Sequence, residues 1–306
     1  LRGAPRRGGG PRQHHADAAA HDDRSQGVHR GLDPQGAVPH RGAFSSDIDQ
    51  PGLTVSDMLA DDSPCKAFIT LGLDPELDTQ AGTRALKLLS RSAFVVALSA
   101  FEESGIVKSA DVILPISTHY ETSGSYMNGA GVWQSFTGVS QPLGEARPAW
   151  KVLRVLGNLF EIDGFDYQST DDVFAKIESG MESMPSHPIK YPLSGDALQK
   201  QTEIKRIPTL PAYASDSLVR HSQPLQETAV MTSADHIKLS PVLADKLGIA
   251  DKDSVSVEQA GVKLKLTAMV VEGISDQSVI IAMAQSKTSA LNDSHAPLTL
   301  KANKKG

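Results

Sequence analysis

Apolar residues recur along this chain in two periods, and the alternation between them outlines a fold. Lys66–Gly72 (KAFITLG), Ala93–Ser99 (AFVVALS) and Asp111–Pro115 (DVILP) are dense apolar runs of strand length. Between the first two, Asp78–Ser92 sets Leu86, Leu88 and Leu89 against Lys87 and Arg91, which predicts a helix. Glu102–Ala110 follows the second run as a short helix or turn. Buried strands alternating with helices at this spacing predict an α/β fold with a parallel, doubly wound sheet. Pro148–Phe160 (PAWKVLRVLGNLF) then carries Trp150, Val152, Leu153, Val155, Leu156 and Leu159 at helical positions. Pro148 falls near the first turn, where its missing N–H is harmless. Asp171–Ser179 predicts one more short helix.

After residue 230 the period shortens. Ser240 is placed to cap a helix from Pro241 to Leu247, with Gly248 to end it. Ser254–Glu258, a Gln259-Ala260-Gly261 turn and the alternating Val262–Val271 predict a hairpin, and Ser278–Met283 another strand. A short helix leading into close-spaced strands predicts a small β-barrel. Between the two patterns, Pro185 to Pro211 holds five prolines among mixed polar residues and reads as a linker or surface-wrapping extension. The expected organisation is an α/β domain over 44–184, a proline-containing extension over 185–229, a barrel over 230–300 and a frayed tail over 301–306.

Residues 1–43 follow neither period. They hold seven of the 13 arginines, none of the 17 lysines and few aliphatics, too little apolar surface to offset the entropy of ordering, so disorder is expected. One reading is a basic arm for nucleic acid or acidic lipid. The absent lysines, the abrupt change in composition and the lack of an initiating Met favour an aberrant arm, translated from an out-of-frame or truncated gene segment. The segment is no secretory or transit signal: it has no apolar h-region, and Asp22 and Asp23 interrupt the arginines.

Composition then removes several function classes. A net charge of −6 and a pI near 5.9 argue against nucleic acid as the main partner. The longest apolar runs, Ala93–Ala100 and Ser278–Ala284, are strand-sized, so no direct membrane insertion is expected. A single cysteine, Cys65, excludes an internal disulfide and a thiolate-ligated iron–sulfur cluster within this chain.

In open α/β sheets, ligands bind beyond the carboxyl ends of the strands. The loop after the third strand offers His119, Glu121, Gly124 and Asn128. His119 and Glu121 make at best a loose acid–base pair, no serine stands in an elbow, and no metal spacing appears. No catalytic residue and no metal ligand is therefore assigned. In the loop Leu71–Asp78 (LGLDPELD), Gly72 allows close backbone approach and Pro75 can open a helix. Asp74, Glu76 and Asp78, however, place three carboxylates in that first turn, where they complement the helix dipole and repel a phosphate.

The wording ADVILP…ETSGSYMN…GEARPAWKVLRVLGNL resembles the molybdopterin oxidoreductase superfamily. Within it, the resemblance is nearest to the large iron–sulfur subunits of NADH–quinone oxidoreductases, respiratory complex I. Ile207–Ala229 (IPTLPAYASDSLVRHSQPLQETA) is similar to a stretch typical of those subunits. Residues 231–283, entered by SPVLADKLGIADKDSVSV, look like the superfamily's C-terminal barrel, and Gly36–Gly42 (GAVPHRG) weakly resembles another piece. The resemblance implies a scaffold portion of a complex that passes electrons from NADH through iron–sulfur clusters to quinone. The clusters belong to N-terminal domains of such subunits that have no counterpart here, so no cofactor is expected in this chain. It also implies other peripheral-arm subunits as partners and a peripheral place on the cytoplasmic side of a bacterial inner membrane. Molybdenum enzymes of the superfamily show Asn where this chain has Asp74, and Glu-Gly-Arg where it has Ala130-Gly131-Val132; both departures weaken binding of an anionic pterin dinucleotide, so the resemblance implies a vestigial pterin pocket, with Gly72, Gly124 and Asn128 as its candidates. The alternatives are a molybdopterin-binding subunit of another oxidoreductase and a stand-alone interaction module.

Overall fold

Three parallel strands, β1 (Ala67–Leu71), β2 (Phe94–Ser99) and β3 (Val112–Pro115), pair in sequence order where the dense apolar runs stand. They belong to a computed structural model that describes residues 53–102, 105–128, 132–182, 203–291 and 296–303. The readings of residues 1–43, and of 185–202 as a linker, lie outside the described residues.

The helix expected over 78–92 is two helices, α1 (Pro75–Asp78) and α2 (Thr83–Leu89). Gly82 divides them: its φ of +53° cannot continue a helix, and it is the residue that precedes α2. Phe68, Val95 and Ala97 of the sheet pack with Leu89 and Ile106, the latter from a 3₁₀ turn over Gly105–Ser109. On the opposite face Leu98 is buried, but Ile69, Leu71 and Phe94 remain 58%, 50% and 46% exposed. Among the described residues, then, the side facing Leu89 and Ile106 is the better covered, although Ile113 on that side is 46% exposed.

The loop after β3 contains a hairpin that its glycines hid. β4 (Gly124–Met127) pairs antiparallel with β5 (Trp133–Phe136), Gly124 lying opposite Phe136. A Cβ on Gly124 would meet the Phe136 ring at 3.1 Å, so the glycine makes room for the ring across from it. α3 (Ala149–Leu159) follows Pro148 as the spacing predicts, and α4 (Thr170–Glu182) outruns its expected length. Only Gly157 is buried in α3, against Phe165, while Leu159 and Phe160 stay exposed.

The remaining strands are β6 (Lys205–Thr209), β7 (His236–Leu239), β8 (Ser254–Gln259), β9 (Val262–Val270), β10 (Ser278–Ala282) and β11 (Leu298–Ala302). They form one mixed sheet in the order β11-β8-β9-β7-β10-β6. The sheet curls until its two edges approach: the Leu298 N–H, at the start of β11, donates to the Ile204 carbonyl beside β6 at 2.9 Å. It is thus a half-closed barrel around Ile237, Leu239, Val255, Val257, Leu266 and Ile281. α5 (Pro241–Leu247) leans on this core, with Ser240 accepting from the Leu243 N–H and Gly248 ending the helix, both as read from sequence.

Two sequence readings are corrected here. Lys205–Thr209, taken as part of a linker, is the edge strand β6; Pro208 is tolerated because that strand pairs only with β10. The tail expected from Lys301 begins later, because Lys301 and Ala302 pair with β8. From β6, the buried Arg206 donates to the carbonyls of Ile281 (3.2 Å), Ala282 (3.0 Å) and Leu291. It thereby fastens both ends of the 283–291 loop to the curled sheet.

A candidate functional site at the strand ends

At the carboxyl ends of β1 and β2 the chain makes the crevice in which α/β sheets bind ligands. Gly72 leaves β1 at a φ of +57°, and its N–H donates to the Leu98 carbonyl at 2.8 Å. Gly72, Asp74, Ser99 and Phe101 line one side, and Arg220 and His221 line the other. Arg220 ends a helical turn over Ser217–Arg220, capped by the Asp216 carboxylate on the Val219 N–H at 2.9 Å, and His221 is the residue that follows it. Between the two sides there remains about 30 Å³, room for a water molecule and little more.

Every carboxylate of the acidic turn is already engaged. Asp78 Oδ1 accepts from the Arg220 guanidinium at 2.6 Å, and Asp78 Oδ2 accepts from the Asp74 N–H at 2.7 Å. Arg220 donates as well to the Ala214 carbonyl at 3.0 Å, and its side chain is only 10% exposed. Glu76 accepts from the Ser289 hydroxyl at 2.7 Å and the Thr83 hydroxyl at 3.4 Å. Asp74 accepts from the Glu76 N–H; burial raises its pKa above the ordinary carboxylate value, with Arg220 pulling the other way and Asp78 adding to the rise. The Phe101 and His221 rings stack across the crevice, 3.9 Å between centroids and 6° from parallel.

The seam continues below the crevice. The Thr83 N–H donates to the Ser289 carbonyl at 3.3 Å, and a Cβ on Gly82 would lie 1.9 Å from that same oxygen. The 283–291 loop held by Arg206 is therefore the surface on which the acidic turn and the start of α2 rest.

Of the three pocket candidates, Gly72 lines this crevice. Gly124 stands in the hairpin, and Asn128 closes the hairpin's turn, its Oδ1 accepting from the Val132 N–H at 3.0 Å. Ala130 and Gly131 lie outside the described residues. His119 and Glu121 do not form a pair: Glu121 accepts from the Thr118 N–H at 2.9 Å and its hydroxyl at 3.1 Å, while exposed His119 tilts against Tyr120. Among the described residues, no group of three or more His, Cys, Asp or Glu side chains could hold a metal ion. Sequence reasoning missed Arg220, His221, Phe101 and Ser289. Arg220 and His221 sat in a stretch read as linker, and only the topology brings Asp78 and Arg220 together.

Comparison with known proteins gives matches in sequence and in fold. A family model described as molybdopterin oxidoreductase matches residues 7–159. A nitrate reductase of Shewanella frigidimarina is 25% identical over 131 residues, 42% of this chain and 14% of that protein. The mitochondrial NADH-ubiquinone oxidoreductase 78 kDa subunit of Candida albicans is 30% identical over 139 residues, 45% of this chain and 17% of that protein. The chain thus spans less than a fifth of the length of either curated relative. In fold it is similar to the acetylene hydratase of Pelobacter acetylenicus, with a TM-score of 0.54 at 14% identity, covering 80% of this chain and 45% of that one.

A pterin dinucleotide, the group such a match implies, does not fit the crevice as it is folded. The space is about 30 Å³, and among the described residues that line it Asp74 is the acid and Arg220 the guanidinium, already committed to Asp78.

Proposed function

Because the chain belongs to the molybdopterin oxidoreductase family, we propose that it is a scaffold portion of the large iron–sulfur subunit of an NADH–quinone oxidoreductase, with no redox centre of its own. The observation that carries this reading is the filled, acidic crevice at the strand ends, where a member binding its cofactor would need open, cationic space. In the whole complex, electrons pass from NADH through iron–sulfur clusters held by other parts of the assembly towards quinone. This chain supplies packing surface and performs no catalysis alone. Its partners are the other peripheral-arm subunits, and it reaches the cytoplasmic side of a bacterial inner membrane through them. The exposed apolar residues of β1 and β2, and the half-covered stripe of α3, support such packing, since exposed patches of this kind mark protein–protein contacts. No helix among the described residues is long and apolar enough to cross a membrane.

The resemblance to a nitrate reductase favours a second reading, a molybdopterin-binding subunit of another oxidoreductase. Elemental analysis for molybdenum and pterin fluorescence, both on the purified chain, separate the two. The scaffold reading expects background levels of both and co-purification with iron–sulfur-containing partners. Stoichiometric molybdenum and pterin would sink it.

A further inference from the structure

The crevice is filled from within, and each filling contact comes from the same short stretch of chain. Arg220 reaches it from a turn 142 residues beyond Asp78. The ion pair is largely buried, with side chains 10% and 19% exposed. The Arg220 guanidinium is aimed further by the Ala214 carbonyl, and Gln226 ties the turn's ends by donating to the carbonyls of Tyr213 and Val219, both at 3.0 Å. His221 lays its ring flat on Phe101, and its Nδ1 lies 2.7 Å from the Ser217 carbonyl. A planar cation on a carboxylate beside a planar ring on an aromatic is how a small cationic ligand would be held.

We infer that Ala214–His221 is a built-in occupant of the strand-end crevice, a strap whose guanidinium takes the place of a ligand and locks the parallel sheet to the curled one. The inference rests on the proposed reading of the crevice as free of cofactor. The strap closes the crevice above, and Ser289, bonded to Glu76 and Thr83, closes the seam below. Two independent contacts between the same two units fix their orientation, where one would leave a hinge.

Amide hydrogen exchange on the full chain tests this, following residues 72–79 in Arg220→Ala, Asp78→Asn and the double variant. Each single change is expected to raise exchange there roughly tenfold or more, with no further rise in the double variant and no change at Val255–Val257. Unchanged exchange in both single variants, or additive effects, would overturn the strap. Ethylguanidinium added to Arg220→Ala should restore protection where ethylammonium does not, because only the former presents the planar fork. No restoration counts against a guanidinium seat. If Arg220→Ala does not fold, Arg220→Lys replaces it, with a smaller rise expected and unchanged exchange again contrary. Pterin bound to the parent chain would overturn this inference and the functional reading together, whereas unchanged exchange in pterin-free protein overturns the strap alone.

Discussion

Asp74 shows how a single carboxyl can report on the site. Burial raises its pKa in the folded chain, so the native state holds the proton to higher pH than the unfolded state does. Stability therefore falls as pH rises from the unfolded value, about 3.9, through the raised folded value, and the penalty is complete above it. Asp74→Asn keeps an oxygen to accept from the Glu76 N–H and removes the buried charge. It should be more stable than the parent at pH 7, with the difference shrinking towards zero below about pH 4, as urea melts at both pH values would show. Arg206 makes the opposite case. Burial lowers its pKa only to about 10, so it stays charged at neutral pH on three carbonyls. Arg206→Lys keeps the charge but cannot span those acceptors, and should cost about 2–3 kcal/mol by the same measurement.

At the scale of elements, what was legible in sequence is what is local. β1, β2 and β3 were readable because dense β-branched and aromatic runs favour strands, although Ile69, Leu71, Phe94, Val112 and Ile113 stay exposed where such runs suggest burial. α5 was readable because Ser240, Pro241 and Gly248 write its cap, first turn and stop within nine residues of sequence. Ser240→Ala should cost about 1 kcal/mol, and more if its bond to Asp276 at 2.7 Å contributes; a lower melting temperature would record it. The β4–β5 hairpin was hidden because its strand residues include Gly124 and two serines, and its stability comes from Phe136 and Trp133, which find Tyr126 and Phe174 only in space. α3 gives a further test. A methyl at Gly157 improves helix propensity by about 1 kcal/mol, yet it would lie 2.2 Å from the Phe165 ring. Overpacking wins, and Gly157→Ala should destabilise by about 1–3 kcal/mol.

Across the whole molecule, the sequence pointed to the strand ends, where Gly72 lines the crevice while Gly124 and Asn128 stand in the hairpin, and the filling of that crevice could not be foreseen. Gly72 and the three carboxylates are neighbours in sequence; their partners Arg220 and Ser289 stand 142 and 213 residues further on, from Asp78 and Glu76 respectively. No periodicity carries information over that distance. The same scale explains the uncovered sheet face, since parallel sheets are ordinarily covered on both sides. The isolated chain should therefore bind a hydrophobic dye and self-associate with concentration. Ile69→Thr combined with Phe94→Thr should reduce both without lowering the melting temperature, as sedimentation and fluorescence would report.

The meeting of β11 with the start of β6 has one more consequence. The Leu298–Ile204 bond ties the two edges together at one end, and Pro208 leaves a gap in the donors of β6, so the curled half of this molecule is blunted against growth by strand addition. In the parallel sheet, β3 is flanked at its end by the bridge between Ile116 and Arg147, while β1 has no second neighbour among the described residues. A strand arriving from elsewhere, whether from a subunit or from an aggregate, would therefore be directed to β1, beside the exposed side chains of Ile69 and Leu71.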